Sequence, residues 1–408
     1  MKCRHCHSEL RLVFADLGSA PPSNAYLTAD MLSAPEKRFP LRVLVCENCW
    51  LVQTEDFAKP DELFEPDYAY FSGYSDTWLA HCKRYVNDMV DRFELSAGSH
   101  VVEIAANDGC LLQFVKMRGI PCTGIEPTAR TAAAAREKGI AIIEDFFGGH
   151  LAEALAAQGK QADLIAANNV LAHVPDINDF VSAVARLLKP GGVATFEFPS
   201  VVNLIAETQF DTIYHEHFTY LSFTAVNRIF GANGLVVFDV QEHPTHGGSL
   251  RVFAARADSS QHPRRDAVEA MLLREAGLGI ATAAYYAGFQ TKIARVKNDF
   301  VDFLLNAAQA GKTVAAYGAA AKGNTLMNFA GVRPDLIRFV ADRNPAKTGK
   351  FMPGSRIPIV KVEQIKDAKP DYIVILAWNL TQEIVRQLDY APQWGAKFVV
   401  AVPELKIL

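Results

Sequence analysis

The chain has 408 residues, 50% of them hydrophobic, and its 41 Lys and Arg against 45 Asp and Glu leave a formal net charge of -4. That length exceeds one ordinary core and predicts two or three domains, and the absence of a basic stripe excludes nucleic acid as the expected partner. The start, Met1-Lys2-Cys3, carries no apolar leader, and no window reaches the roughly 18 uninterrupted apolar residues of a membrane span, so the expectation is a cytoplasmic protein with no membrane partner.

Seven cysteines are an odd number, and in a reducing compartment four of them read better as metal ligands than as disulfides. Cys3-x-x-Cys6 and Cys46-x-x-Cys49 make two knuckles whose four thiolates suit a tetrahedral Zn2+. A full set of thiolates leaves no open position, so the ion is expected to be structural. The long gap between the knuckles holds Pro21-Pro22 and a strand-like run, Phe39 to Val45. From Pro60 to Tyr74 the chain turns to Asp, Glu, Tyr, Phe and Pro; these aromatics either form a lid over a polar ligand or pack the first domain on the second. Trp78 to Leu95 then has helical spacing of apolar residues.

The stretch from Val101 to Gly192 carries four strand-and-turn blocks: Val101 to Gly109, Gly124 to Pro127, Asp163 to His173 and Leu187 to Gly192. Each apolar run reads as a central parallel strand, and ligands bind where such strands end. The Asn107-Asp108-Gly109 turn allows close backbone approach, and about 20 residues later Glu126 is placed to take two ribose hydroxyls. A dinucleotide fingerprint needs three glycines for a pyrophosphate, and only Gly109 is present. Acidic Glu103, the pair Asp145-Phe146 and the Leu-Lys-Pro-Gly-Gly turn before a fifth strand together resemble the class I S-adenosylmethionine methyltransferases. The resemblance implies that Glu103, Ala105, Asn107 and Gly109 face the amino-acid end of S-adenosylmethionine. It likewise implies that Glu126 with Pro127 takes the ribose, that Asp145 and Phe146 flank the adenine, and that Asn168 completes the cofactor set. Ala105 and Asn107 depart from the glycines of the pattern.

Val193 to Phe198 is a strand ending at Pro199, and a second informative block follows, Phe210-Asp-Thr-Ile-Tyr-His-Glu-His-Phe-Thr-Tyr-Leu-Ser222. Read as a strand or extended loop, it places Tyr214 and Glu216 on one side and His215 and His217 on the other. No further carboxylate-histidine set accompanies the histidines, so a second metal is not expected. Arg228 to Val240 is the end of a helix and an edge strand; Thr245 to Arg251 is either a plain hairpin turn or a glycine pair that brings His246, Ser249 and Arg251 to a ligand. After a polar boundary near Asp258 a long helix passes Val296, Phe300 and Leu304, and strands follow at Lys312 to Tyr317, Ile337 to Ala341, Asp371 to Ala377 and Lys397 to Val402. Gly318-Ala-Ala-Ala-Lys322-Gly323-Asn324-Thr325 lacks the lysine after the second glycine of a P-loop, which disfavours an ATPase, but a Gly-rich turn at a helix start with one lysine suits a diphosphate. Asp342 ends the next strand in an open role.

In this order the zinc knuckles, the methyltransferase blocks, the Tyr-His-Glu-His segment and the C-terminal Tyr-Gly-Ala-x-Ala-Lys-Gly-Asn-Thr run resemble the sugar C-methyltransferases that act on nucleotide-linked 4-keto deoxysugars. The implied fold is α/β: a zinc-binding domain over 1–66, a Rossmann-like class I methyltransferase domain over 67–257 and a second Rossmann-like domain over 258–408 that contributes Tyr317, Lys322 and Asn324 to a sugar-nucleotide site. The implied substrate is a dTDP-4-keto sugar methylated beside the ketone, usually at C3, and the matching catalytic positions are Tyr68, His173, Tyr214, Glu216 and His217. A proton leaves such a carbon only if a base is positioned and the enolate oxygen is stabilised. His217 is the chosen base, with Glu216 orienting it or holding a sugar hydroxyl and His173 or Tyr214 donating to the oxygen. An O- or N-methyltransferase on a sugar nucleotide and a non-catalytic sugar-nucleotide binder stay open, as does the oligomeric state.

Overall fold

Three β-sheets organise the protein in a computed structural model that describes residues 1–57 and 71–408. The first begins as an antiparallel meander of β1 (Leu12–Ala20), β2 (Phe39–Val45) and β3 (Val52–Thr54). The second holds β4 (Val101–Ile104), β5 (Cys122–Ile125), β6 (Ala141–Ile143), β7 (Ala162–Asn168) and β8 (Leu188–Pro199), all parallel. The chain then leaves this sheet for β9 (Thr219–Tyr220), which pairs with β3 and so completes the first sheet. β10 (Leu235–His243) and β11 (Ser249–Arg256) return as a hairpin, giving the order β10-β11-β8-β7-β4-β5-β6.

Parallel strands are covered on both faces, and the apolar runs Val101-Val102 and Leu164 to Ala167 are accordingly buried. One cover is the helix Ile177–Leu187, capped by Asp176, whose side chain accepts from the Asp179 N–H at 3.0 Å, and burying Ile177, Phe180, Val181, Val184 and Leu187. The Lys-Pro-Gly-Gly segment is not the turn before a strand that its residues predict. It lies within β8, where the pairing with β7 jumps from Ala162↔Leu188 to Leu164↔Val193. A Cβ on Gly192 would lie 2.6 Å from the Ala162 carbonyl oxygen, so the bulge requires glycine there.

The third sheet contains β12 (Val314–Tyr317), β13 (Val340–Ala341), β14 (Ile359–Val360), β15 (Tyr372–Ile375), β16 (Lys397–Val400) and β17 (Lys406–Ile407), ordered β14-β13-β12-β15-β16-β17 with only β17 antiparallel. Two cores meet in the N-terminal region. Cys3, Cys46, Cys49 and Leu51 join the core of the central sheet, whereas Phe14, Leu41 and Val43 join Phe289, Ile293 and Phe300 of the long helix Phe289–Gln309 in the core of the third. The helix Asp266–Gly277, which follows Asp258, packs Val268 and Met271 on the central core. Among the described residues no helix is long and apolar enough to cross a membrane.

Candidate active site

A cavity of about 1160 Å³ opens where β4, β5, β7 and β8 end, and its far wall is the start of the helix Ala321–Ala330 in the third sheet's layer. On the cofactor side Ala105 (φ 57°), Asn107 (φ 50°) and Gly109 (φ 73°) are all left-handed. The two positions where the sequence departs from glycine thus keep glycine's backbone, at a cost in strain that marks functional turns. Glu126 accepts from the Asn107 N–H at 2.9 Å and from the Thr128 N–H at 3.0 Å, which fixes its carboxylate at the cavity wall. Pro127, Asp145 and Phe146 also line the space, and Phe146 is 55% exposed, an open aromatic face of the kind an adenine covers. Both amide atoms of Asn168 are buried in this wall without a partner among the described residues. These residues fit S-adenosylmethionine: Glu126 would hold the ribose, Phe146 the adenine and Asn168 the polar amino-acid end.

Two expected ligands of the cofactor lie behind the wall instead. Glu103 is 5% exposed and faces Cys110 and Asp108, and burial, then those neighbours, push its carboxyl well above the ordinary range. Gly109 packs tightly, since a Cβ there would lie 2.4 Å from the Ile140 side chain. Neither lines the cavity, and both support the turn that does.

The Phe210 to Ser222 segment does not alternate as an extended strand. After a short 3-10 turn at Phe210–Thr212 the His217 N–H reaches the Tyr214 carbonyl at 2.9 Å, and this turn puts Tyr214 and His217 on the same side. The Tyr214 hydroxyl lies 2.7 Å from His217 Nε2, and His217 Nδ1 lies 2.9 Å from the Thr212 carbonyl. A carbonyl only accepts, so the imidazole proton belongs on Nδ1 and Nε2 faces Tyr214 as an acceptor. The His173 ring stands edge-on to His217 with centroids 4.6 Å apart. Burial holds His173 at about 4, and burial first, then the charge of His173, holds His217 well below the ordinary imidazole value. Both rings are therefore neutral near pH 7. Both ring nitrogens of His217 are thus paired with Tyr214 and Thr212, and the Glu216 carboxylate accepts from Asn24 Nδ2 at 2.7 and 2.9 Å. His215 points away to the carbonyls of Phe39 and Pro40. Tyr68 lies outside the described residues.

Residues distant in sequence hold this segment, and no local pattern marks Thr54 or Trp378 among them. Thr54 donates its hydroxyl to the His217 carbonyl at 3.0 Å, and the Thr54 N–H reaches the Phe218 carbonyl at 3.1 Å. From the other side Thr325 donates to the Ile213 carbonyl at 2.8 Å, and the Trp378 indole N–H donates to Asp211 at 2.7 Å.

The C-terminal wall holds Tyr317, Lys322 and Asp342. Tyr317 donates to Gln387 at 2.8 Å. Asp342 accepts from the Ala319 N–H at 2.7 Å and the Asn344 N–H at 2.8 Å, so it shapes the turn before the helix. Three other expected substrate residues are committed to the protein. Asn324 donates to the Ser23 carbonyl at 2.5 Å, Ser249 to the Thr245 carbonyl at 2.8 Å, and neither reaches the cavity. Arg251 borders it, but donates to Glu197 at 2.6 and 3.1 Å; burial alone would raise that carboxyl, and His81 and Arg251 hold it down at about 2. His246, at φ 54°, meets the Asn169 side chain at 3.2 Å and does line the cavity.

Away from the cavity, the sulfurs of Cys3, Cys6, Cys46 and Cys49 all lie within 4.8 Å of one another, and Gln53 donates to Cys3 Sγ at 3.3 Å. That donor set fits a closed tetrahedral Zn2+ site, with a supporting hydrogen bond.

Family models match in chain order: a zinc binding domain over 3–64, a methyltransferase domain over 78–240 and the C-methyltransferase C-terminal domain over 244–403. The chain is 35% identical over 407 residues to C-methyltransferase NovU of Streptomyces niveus, covering all of this chain and 96% of that protein. It is 33% identical over 100 residues to a ubiquinone biosynthesis O-methyltransferase of Chelativorans sp. (strain BNC1), 24% of this chain and 38% of that protein. Among solved structures, magnesium protoporphyrin IX methyltransferase of Synechocystis PCC 6803 aligns with a TM-score of 0.36 and 16% identity over 44% of this chain and 83% of that one.

Proposed function

The chain belongs to the C-methyltransferase family in which a zinc-binding domain, a methyltransferase domain and a C-methyltransferase C-terminal domain follow one another, and from that premise we propose that it methylates a dTDP-linked 4-keto deoxysugar at the carbon beside the ketone, C3. It is an S-adenosylmethionine-dependent C-methyltransferase with a structural zinc site. When bound, the cofactor supplies an electrophilic methyl group on a sulfonium.

One observation carries the reading: a neutral imidazole, its proton fixed on Nδ1 by Thr212 and its Nε2 an acceptor paired with the Tyr214 hydroxyl, shares a single cavity with the cofactor wall and the C-terminal Gly-rich turn. His217 Nε2 receives the proton from C3, and Tyr214, released from Nε2 by the sugar, donates its hydroxyl to the ketone oxygen. Burial keeps the imidazole uncharged before substrate arrives, with the His173 ring packed edge-on against it. The turn shaped by Asp342 leads into a helix with no side-chain cap, which leaves the N–H groups of its first turn for a diphosphate. The His217 arrangement supplies the base that a carbon acid needs, and the match to C-methyltransferases favours carbon over oxygen or nitrogen.

Incubation with methyl-labelled S-adenosylmethionine and a dTDP-4-keto deoxysugar tests the proposal. The product should gain one methyl group on carbon, located by NMR. A label on oxygen, or none on any 4-keto sugar nucleotide, would reject it.

A further inference from the structure

Lys322 enters the cavity from the first turn of the helix Ala321–Ala330. An ammonium has three N–H bonds to place. The described residues offer one acceptor, Asn379 Oδ1 at 2.9 Å, and the face of Trp378 at 4.4 Å. Its counter-charge is Asp211, which takes the Trp378 indole N–H on one oxygen while its other oxygen is buried without a partner. Burial lowers the lysine to about 8, partly offset by Asp211, and burial raises Asp211 to about 6. A desolvated cation with donors to spare is costly unless a ligand oxygen completes its shell.

Lys322 lines the same cavity as Tyr214, His217 and His246. Among the described residues its ammonium is bonded to Asn379 and to neither imidazole, and its charge lowers both. A diphosphate has its own donors in the backbone of the helix's first turn, and the lysine stem carries the charge beyond that point. We propose that Lys322 is a catalytic residue whose ammonium holds the C4 oxygen as it becomes an enolate; this rests on the function proposed above. The C3–H bond breaks, its proton passes to His217 and its electron pair forms C3=C4, while the carbonyl pair moves to oxygen beside Lys322. The ketone then reforms as the C3 pair bonds the methyl carbon, and the broken carbon-sulfur bond leaves its pair on sulfur as S-adenosylhomocysteine. The imidazolium later gives its proton to water.

Exchange of the C3 hydrogen in deuterated water, with S-adenosylhomocysteine in place of the methyl donor, isolates the enolisation. Lys322→Met, which keeps the stem and loses the charge, should slow exchange at saturating sugar nucleotide about 100-fold or more. Its sugar-nucleotide Kd by calorimetry should stay within about threefold, since the diphosphate donors are untouched. Exchange at the wild-type rate overturns the proposal, as does a Kd raised tenfold or more with saturated exchange intact, which assigns the lysine to the diphosphate. If the wild type exchanges nothing and yields no methylated product, the proposed function itself fails.

A second variant keeps the test alive should Lys322→Met not fold. The groups facing the ammonium are Asp211, His217, His246 and the Asn379 amide, and the two imidazoles are already neutral well below pH 7. An alkaline fall of kcat/KM is therefore expected as the lysine loses its charge with pH rising through about 8. Asp211→Asn removes the charge that raises it, so the fall should move to lower pH. An alkaline limb that stays in place overturns the assignment.

Discussion

Glu126 is held by Asn107 and Thr128, 19 and 2 residues away in sequence. Glu216, across the same cavity, is held by Asn24, 192 residues away, and the carbonyls of His217 and Ile213 by Thr54 and Thr325, 163 and 112 residues away. The cofactor wall is thus assembled from consecutive strands β4 to β7 of one sheet, whereas the catalytic segment is gripped from both flanking domains. A wall of the first kind forms whenever its own strands pair. The second kind exists only when three parts of the chain have docked, so damage to either flank should appear in turnover before it appears in cofactor binding.

Zinc removal has the largest expected effect. The second knuckle leads through Leu51 into β3, which pairs with β9 and whose Thr54 holds the His217 carbonyl. Structural zinc supplies folding energy outright. Chelated protein should lose turnover altogether while S-adenosylmethionine affinity by calorimetry stays within about tenfold. Parallel loss of both would mean that the two walls are not separable.

His217→Asn comes next. It should lower turnover by about two to four orders of magnitude and abolish C3 hydrogen exchange, with the cofactor wall unaffected. If exchange survives, the base is Tyr214 or His173.

The same contrast explains what could be read from residues alone. Strand-and-turn blocks with an acid at the end of the second strand mark the cofactor wall, because each signal sits in the element it describes: Glu126, Asp145, Phe146 and the four cysteines all stand where their local patterns put them. Glu103 misleads because a buried acid and a ligand acid look alike in sequence. The alternation expected over Phe210 to Ser222 fails because the Tyr214–His217 turn is set by anchors outside the segment. Asn24, Thr54 and Trp378 carry no local mark, and Asn324 and Ser249 sit in polar Gly-rich runs that read as ligand contacts but satisfy backbone carbonyls.

On the cofactor wall, Glu126→Ala should weaken S-adenosylmethionine binding by about 1 to 3 kcal/mol, the scale of a lost charged hydrogen bond. The loss should appear in calorimetry with sugar-nucleotide affinity unchanged, since the carboxylate of Glu126 is held by Asn107 and Thr128 on the cofactor side. Unchanged cofactor affinity would remove Glu126 from the ribose.

The smallest effect concerns the two grips on the catalytic segment. Thr54→Val and Thr325→Val each delete one hydroxyl that donates to a backbone carbonyl, at His217 and at Ile213, and keep the side-chain shape. Each lost bond is worth about 1 kcal/mol, so each variant should lower kcat about fivefold with cofactor affinity unchanged. The two carbonyls flank the turn that brings Tyr214 against His217, so freeing either end loosens the same turn. The second deletion then has less left to disturb, and the double variant should fall short of the sum by about 0.5 kcal/mol or more. A strictly additive pair in kcat would show that the N-terminal and C-terminal grips position separate parts of the site.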